Sequence, residues 1–312
     1  MLSRVASHLY WLSRYLERAE NMARILDVGH SLALLSGSSG QDSAAIEPLV
    51  ITDTLEAFRE TGQPATAENV ARFLAWDPDL PSSIANCLES SRENTRAVRG
   101  SVTSEMWETI NDTWLQLQAR RRSGEEPIDS AFFDWVKERS HLFRGVTFAT
   151  SRRDQPYQFI RLGTFLERAD NTARILSVKQ GRNDTDADAD AESDSDYYSL
   201  SAVLRSVSSL EAYRDTYRDT IEARRVAELL IFNPQLPRSL RSCFDEIDHI
   251  LTALPQESGR QARRLAAVIR AGLAHGDLED VRRVGLRTFL DQFLSENNSL
   301  GAALHSGYME MR

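Results

Sequence analysis

A charged motif of glutamate, asparagine and arginine occurs twice in this chain of 312 residues. In the first copy Glu17, Asn21 and Arg24 stand at i, i+4 and i+7, so a helix would place them on one line along its surface. Arg18 follows Glu17, about 100° further round the same helix. A carboxylate beside guanidinium groups could form a buried ion pair or grip a polar ligand. The second copy consists of Glu167, Arg168, Asn171 and Arg174.

Two interpretations of this repeated motif stay open. If the two motif helices pack around a pseudo-twofold axis, each glutamate would meet an arginine of the other copy, and the ionic network would fix the register of the helices. Alternatively, the motifs line a cleft and bind a polar substrate, a partner or a metal, because buried ionic groups without a structural role tend to be functional. We therefore take the eight residues of both copies as candidate site residues.

A row of arginines in the segment SSRENTRAVRG could bind a phosphate or a carboxylate. Arg92, Arg96 and Arg99 stand at i, i+4 and i+7, with Glu93 and Asn94 beside them. The alternative is a solvated helix face, supported by pairs such as Glu93 with Arg96. The corresponding second-half stretch, DHILTAL, has no arginine, so this feature is free to be functional.

Two E-x-x-H pairs, Glu138 with His141 and Glu246 with His249, resemble the paired ligands of a ferritin-type metal site. Such a site needs two pairs on symmetric helices and two further glutamates, for which Glu17 and Glu167 would be available. The pairs here stand at non-equivalent positions of the two halves, which favours coincidence. We expect no metal and no cofactor, and keep a metal-dependent enzyme with these four ligands as the alternative function.

The net charge of −9 comes mainly from one segment. Residues 181–196, GRNDTDADADAESDSD, hold seven acidic residues and one arginine, which contribute −6 and leave −3 for the rest of the chain. A nucleic-acid-binding protein normally carries a basic surplus, so we expect no nucleic-acid partner. The lack of large apolar residues predicts a flexible acidic loop over residues 181–198.

Other familiar signals of chemistry or location are missing from the sequence. It contains no P-loop, dinucleotide-binding, GxSxG or HExxH motif. Cys87 and Cys243 fall outside any CxxC pair, so neither a disulfide framework nor a zinc knuckle is indicated. The charged N-terminus and the absence of about eighteen consecutive apolar residues predict a cytoplasmic protein that does not enter the membrane.

The charged motif belongs to a longer internal repeat. The segment LEAFRET at residues 55–61 returns as LEAYRDT at 210–216, and WDPDLPSSIANC at 76–87 returns as FNPQLPRSLRSC at 232–243. The order and the spacing of these matches are kept. We predict an internal duplication, with a first helical repeat over residues 1–150 and a second over residues 151–312, together forming one compact domain.

Hydrophobic periodicity predicts an all-α helical bundle of about ten to twelve helices. From Leu2 to Ala33 apolar residues recur at steps of three and four, as in a helix that buries one stripe. Paired prolines, Pro78 with Pro81 and Pro234 with Pro237, should end one helix and start the next. Further first-half helices are predicted at about 45–61, 66–75, 81–99, 102–122 and 129–150, with counterparts in the second half.

The segments LYWLSRYLERAENMARILDV and FIRLGTFLERADNTARILSV resemble the two signature helices of the bacterial alpha-E domain family. The stretch RENTRAVRGSVTSEMWETIN at residues 92–111 resembles a third block of that family, and with FRGVTFATSRRDQPYQFIRLG the similarity covers essentially the whole chain. Ser13 and Thr164 stand where the family pattern has a glycine and its second arginine. The family's motif residues fall on Glu17, Arg18, Glu167 and Arg168, with Arg92, Glu93, Asn94 and Arg96 from the third block.

The resemblance implies that the protein acts together with other proteins. Alpha-E proteins are encoded beside, or fused to, circularly permuted ATP-grasp proteins, often with a transglutaminase-like protease, and a peptide or amide ligation system is inferred from that association. The expected function is therefore that of an accessory or scaffold protein for such a ligase. The expected partners are the ATP-grasp protein and the protease, and the expected substrate is a peptide.

Overall fold

The computed structural model consists of helices and connecting turns. It describes residues 1–35, 41–180, 194–255 and 258–310, and within these ranges it contains fifteen α-helices and no strand. The all-α prediction is confirmed, although the predicted helix number is too low. None of the described helices combines the length and the apolar composition that a bilayer crossing requires. The helices are α1 (Ser3–Leu35), α2 (Gln41–Ile51), α3 (Leu55–Glu60), α4 (Ala67–Trp76), α5 (Ile84–Ala97), α6 (Ser104–Ser123), α7 (Ser130–Thr150), α8 (Gln155–Gln180), α9 (Asp194–Ser206), α10 (Leu210–Tyr217), α11 (Ala223–Phe232), α12 (Leu240–Ala253), α13 (Arg260–His275), α14 (Leu278–Val284) and α15 (Leu286–Leu304).

Two compact units divide the chain, and the boundary between them lies inside α8. Unit 1 consists of Met1–Glu167 and Tyr308–Arg312, and unit 2 consists of Arg168–Gly307. In unit 1 α1 packs against α2, α4, α5 and α7, and α6 packs against α5 and α7. In unit 2 α13 packs against α11, α12 and α15, and α14 packs against α11 and α15. The long helix α1 is thus the centre of unit 1.

The apolar seam predicted along α1 is confirmed from Leu9 onwards, whereas Leu2 precedes the helix and is 72% exposed. Glu17 and Asn21, two members of the charged line along α1, are only 1% and 3% exposed, so this part of the line is buried. With neighbouring helices on several sides, α1 buries part of its polar face as well as its apolar face. The buried seam residues are Leu9, Leu12, Leu16, Ala19, Ala23 and Leu26.

The helix predicted at residues 45–61 is in fact two helices, α2 and α3, because the backbone turns at Asp53. This residue adopts a left-handed conformation with φ 58°. The backbone N–H of Thr54 then donates to the carbonyl of Leu49 at 2.9 Å, which is the hydrogen bond of a Schellman motif. Aspartate adopts left-handed φ values more readily than most residues. Because neither proline nor glycine marks this position, the hydrophobic periodicity of the sequence does not show that the helix ends here.

The same turn separates α9 from α10 in unit 2. Ser208 has φ 52°, and the N–H of Ser209 donates to the carbonyl of Leu204 at 2.7 Å. Of the predicted acidic loop, residues 181–193 lie outside the described residues, and residues 194–198 belong to α9.

The paired prolines lie between helices in both units, as predicted. Residues 77–83 separate α4 from α5, and residues 233–239 separate α11 from α12. Each connection ends in a serine that caps the next helix: the Oγ of Ser83 accepts the N–H three residues ahead at 3.3 Å, and Ser239 does the same at 3.0 Å. These caps fix the starts of the helices that carry Arg92 in unit 1 and Cys243 in unit 2.

Candidate functional site

The buried carboxylate of Glu167 is held by two arginines of α1. Arg14 Nε and Arg18 Nη2 donate to Glu167 Oε2 at 2.7 and 2.9 Å, and Arg18 Nε donates to Oε1 at 2.6 Å. Side-chain exposure is 7% for Glu167 and 31% for Arg18. The first interpretation requires each glutamate to meet an arginine of the other motif copy, and the contact of Glu167 with Arg18 is one such pair. The sequence analysis does not single out Arg14. Its spacing of four residues from Arg18, which places both side chains on one side of the helix, is the signal that could have identified it.

The electrostatics of this Glu167 clamp (Arg14, Arg18 and Glu167) keep it fully ionised. Burial alone would raise the pKa of the Glu167 carboxyl, but the charges of Arg18 and Arg14 and the hydrogen bonds that they donate lower it to about 2. The carboxylate in turn raises the pKa of Arg18. Burial raises the pKa of the neighbouring Cys87 thiol to about 12, so the thiol stays protonated at neutral pH. A general acid or base needs a pKa near the working pH, and no group of the clamp meets that condition.

Gly163 permits the close approach of α8 to α1 that brings Glu167 to its arginines. A Cβ atom at this position would lie 2.3 Å from the carbonyl oxygen of Tyr10 and 2.3 Å from Ser13 Oγ. Ser13 is itself fixed, because its Oγ donates to the Tyr10 carbonyl at 3.0 Å. The clamp is thus positioned by backbone contact as well as by charge.

A second cluster of charges on α1 contains two buried carboxylates, Glu17 and Glu20. Arg144 Nη1, from α7, lies 2.8 Å from Glu17 Oε2 and 2.5 Å from Glu20 Oε2. Arg24 Nη2 lies 2.8 Å from Glu20 Oε1 and 3.1 Å from His141 Nε2. Two carboxylates and two guanidinium groups balance in charge, and the half-exposed imidazole forms the solvent edge of this carboxylate cluster.

His141 lies at the surface edge of the carboxylate cluster. Its Nε2 lies 3.4 Å from Glu20 Oε1 and 3.1 Å from Arg24 Nη2. The neighbouring hydroxyl of Ser140 is fully buried and accepts from Arg144 Nη1 at 2.8 Å, which removes it as a nucleophile. Sequence analysis does not single out Glu20 or Arg144 for this cluster.

The arginine row of α5 is partly neutralised by its own glutamate. Glu93 lies 2.5 Å from Arg92 Nη1 and 2.8 Å from Arg96 Nη2, which confirms the predicted pair of Glu93 with Arg96. Asn94 Oδ1 lies 2.8 Å from His8 Nδ1 of α1. The Arg96 side chain is 65% exposed, so the outer half of this row faces solvent.

Trp107 of α6 lies between two of these arginines. The guanidinium carbons of Arg92 and Arg99 lie 5.6 and 5.9 Å from the centroid of the Trp107 ring, within cation–π range. Arg99 Nη2 also donates to Ser104 Oγ at 3.3 Å. We name Arg92, Glu93, Arg96, Arg99 and Trp107 the arginine–tryptophan face.

Beyond its glutamate, the second motif copy lies in unit 2. Arg168 is 8% exposed, and its Nη1 donates to the carbonyl of Pro237 at 3.5 Å. Arg174 Nε donates to Asp170 Oδ2 at 2.7 Å, the same i, i+4 relationship that joins Arg24 to Glu20. Asn171 is also 8% exposed, and its amide nitrogen has no hydrogen-bond partner among the described residues.

The proposed metal ligands do not form a coordinating group. Among the described residues no three histidine, cysteine, aspartate or glutamate side chains come together in a way that could hold a metal ion. Glu138 and His249 are exposed, and His141 Nε2 faces the Arg24 guanidinium, whose charge opposes a cation there. Glu246 lies on α12, like His249.

Comparison with known proteins gives one family match and several relatives. An uncharacterised protein of Mycobacterium bovis is 26% identical over 328 residues, as are two uncharacterised proteins of Mycobacterium tuberculosis. The alignment covers 94% of this chain but only 35% of each relative, so the chain spans about a third of their length. No solved structure matches. The model of the Alpha-E family, described as "a predicted alpha-helical domain with a conserved ER motif", matches residues 1–309, and this protein, with its Glu-Arg motif at residues 17–18 and 167–168, belongs to that family.

Proposed function

We propose that this protein is an accessory scaffold that acts with a circularly permuted ATP-grasp ligase in a system that forms or modifies peptide or amide bonds. The observation that carries the proposal is the length of the mycobacterial relatives, in which the region matching this chain makes up 35% of the protein. In those proteins the helical domain is covalently joined to much more polypeptide. A helical domain that occurs within longer proteins is suited to act on or through a partner, which we place in the cytoplasm.

The charge balance of unit 1 supports a scaffold rather than a catalyst. The Glu167 clamp is ionised and buried, and the carboxylate cluster pairs two acids with two arginines. Both sets therefore hold α1 against its neighbours, and neither combines a nucleophile with a base. In this proposal the Glu-Arg motif stabilises the helical scaffold, and the partner binds to a different part of the scaffold.

The arginine–tryptophan face is the surface that best suits a protein partner. Arginine and tryptophan are enriched among the residues that dominate binding energy at interfaces. Arg96 is largely exposed, and Trp107 is partly exposed with Arg92 and Arg99 beside its ring. Guanidinium groups on this face would pair with carboxylates of the ATP-grasp protein, of a transglutaminase-like protease or of the peptide substrate.

Co-expression with the neighbouring ATP-grasp protein tests the proposal. We expect the two proteins to purify together, and Arg96→Glu to weaken the complex at least tenfold, because the reversed charge would repel the partner's carboxylates. Arg283→Glu is the matched control, since Arg283 is 74% exposed and lies far along the chain on α14. Failure to form any complex, with ATP turnover unchanged by this protein, would contradict the proposed function.

We further infer that the chain arose by internal duplication. Two left-handed turns, at Asp53 and Ser208, have φ values of 58° and 52° and stand 155 residues apart. The serine caps at Ser83 and Ser239 stand 156 residues apart and make the same hydrogen bond. Repetition of backbone geometry at the offset of the sequence repeat supports a common origin of the two halves.

A further inference from the structure

A cavity of about 480 Å³ lies in unit 2 among α11, α13, α14 and α15, away from both motif copies in the sequence. Its wall is largely apolar and includes three phenylalanine rings. Small-molecule sites commonly have volumes of about 300–1,000 Å³ and combine such walls with a few polar groups. The apolar lining includes Phe232, Ile269, Leu273, Phe289 and Phe293.

The polar part of this cavity contains three carboxylates. Asp277, Asp280 and Glu296 line it together with Gln292 and His275, and no lysine or arginine does so among the described residues. Asp280 lies 3.3 Å from Arg283, but both side chains are more than half exposed, where such a pair is weak. No cationic side chain lies within 4 Å of the other two carboxylates in the described chain.

The two carboxylates without a cationic partner are held in place by neutral donors. Asp277 Oδ1 caps α14 by accepting the N–H groups of Glu279 and Asp280 at 2.9 and 3.0 Å. Glu296 Oε1 accepts from Gln292 Nε2 at 2.8 Å. Both negative charges therefore remain available to a ligand while their side chains are oriented.

We propose that this cavity binds a small organic amine, that is, an ammonium group on an apolar body. The carboxylates would pair with the ammonium group, and the phenylalanine rings would contact the apolar body and add cation–π attraction. An anion of the same size would be repelled. This inference is independent of the proposed function, because no residue of the arginine–tryptophan face takes part in it.

Three matched probes, titrated into the full-length protein by calorimetry, test the charge requirement. Phenethylamine should bind at least tenfold more tightly than 2-phenylethanol, and 3-phenylpropionate should not bind. Equal binding of the amine and the alcohol would identify a merely apolar cavity and overturn the proposal. Absence of phenethylamine binding would also overturn the proposal.

Isosteric substitutions test the location. The double variant Asp277→Asn with Glu296→Gln should weaken phenethylamine binding at least tenfold, while Asn still caps α14. Asp291→Asn is the control, since Asp291 lies on α15, is 61% exposed and does not line the cavity. Gly272→Leu provides a second route, because Gly272 lines the cavity and a Cβ there meets no atom within 4 Å. Unchanged amine affinity in both the double variant and Gly272→Leu, with melting temperatures retained, would place the amine elsewhere and refute the assignment.

Discussion

Arg18 of the first Glu-Arg motif lies against Glu167 of the second, with Nε 2.6 Å from Oε1 and Nη2 2.9 Å from Oε2. The two copies of the family's motif are thus joined by a bidentate ion pair, 149 residues apart in sequence, within unit 1. Such a pair fixes geometry as well as distance, because the planar guanidinium matches the two carboxylate oxygens. The motif therefore acts first as an anchor between α1 and α8.

Replacing Glu167 by glutamine should strongly destabilise the protein. The variant leaves Arg14 and Arg18 without their buried counter-charge, and breaking a buried pair in this way typically costs about 3–5 kcal/mol. Chemical denaturation measures the loss. Glu56→Gln is the control, because Glu56 is 80% exposed in its pair with Arg59, and its loss should stay within about 0.5 kcal/mol. A similar, small effect of both changes would show that the clamp does not hold the fold.

The stability of the native protein should fall in acid because of the same carboxylate. Its folded-state pKa of about 2 lies below the ordinary value of 4.5, so its contribution is fully present above about pH 4.5 and is lost as the pH falls through 2. Unfolding free energies measured from pH 7 down to pH 2 should therefore converge for the native protein and Glu167→Gln. A constant difference between the two across this range would contradict the depressed pKa.

Repetition of the motif suggests, as one of two interpretations, that each glutamate meets an arginine of the other copy, and Arg18 with Glu167 is such a pair. The sequence does not predict Arg144 as the partner of Glu17, since 127 residues separate them and α7 carries no copy of the motif. The periodicity of α1 indicates its apolar seam but not how many helices surround it, so it does not reveal that Glu17 and Asn21 are almost fully buried. The pattern of apolar residues within one helix indicates one buried face, whereas the neighbouring helices determine which other faces are buried.

Gly163→Ala should destabilise the protein, although alanine favours helix. The new Cβ would lie 2.3 Å from the backbone oxygen of Tyr10, so relief requires a shift of α8 away from α1. Overpacking of this kind typically costs about 1–3 kcal/mol. Gly145→Ala is the matched control on α7, where a Cβ meets no atom within 4 Å, and it should stabilise by about 0.5–1 kcal/mol. Equal changes in melting temperature of the same sign would refute close helix contact at Gly163.

Arg144 and Glu17 should show energetic coupling in a double-mutant cycle of Arg144→Met and Glu17→Gln. Their side chains meet at 2.8 Å, and residues in one ionic network usually couple by about 0.5–3 kcal/mol. Arg144→Met paired with Glu56→Gln provides the uncoupled control, because Glu56 forms its ion pair with Arg59 and is largely exposed. Additive losses for Arg144 and Glu17 would mean that the guanidinium does not serve this carboxylate.

The two left-handed turns give a test of backbone equivalence that does not depend on charge. Ser208 has φ 52°, a conformation that most residues adopt only at a cost and that glycine adopts freely. Ser208→Gly should therefore stabilise the protein by about 0.5–1 kcal/mol, as relief of strain outweighs the added entropy of the unfolded chain. Asp53→Gly should give a gain of the same sign but smaller size, because aspartate tolerates φ 58° better than serine. Ser295→Gly, at an exposed position inside α15, is the control and should lose about 0.5 kcal/mol through helix propensity. The denaturation midpoints of the three variants are the measurement. Stabilisation at both turns with destabilisation at the control would show that the same left-handed turn ends α2 and α9. Destabilisation by all three substitutions would show that neither turn is strained.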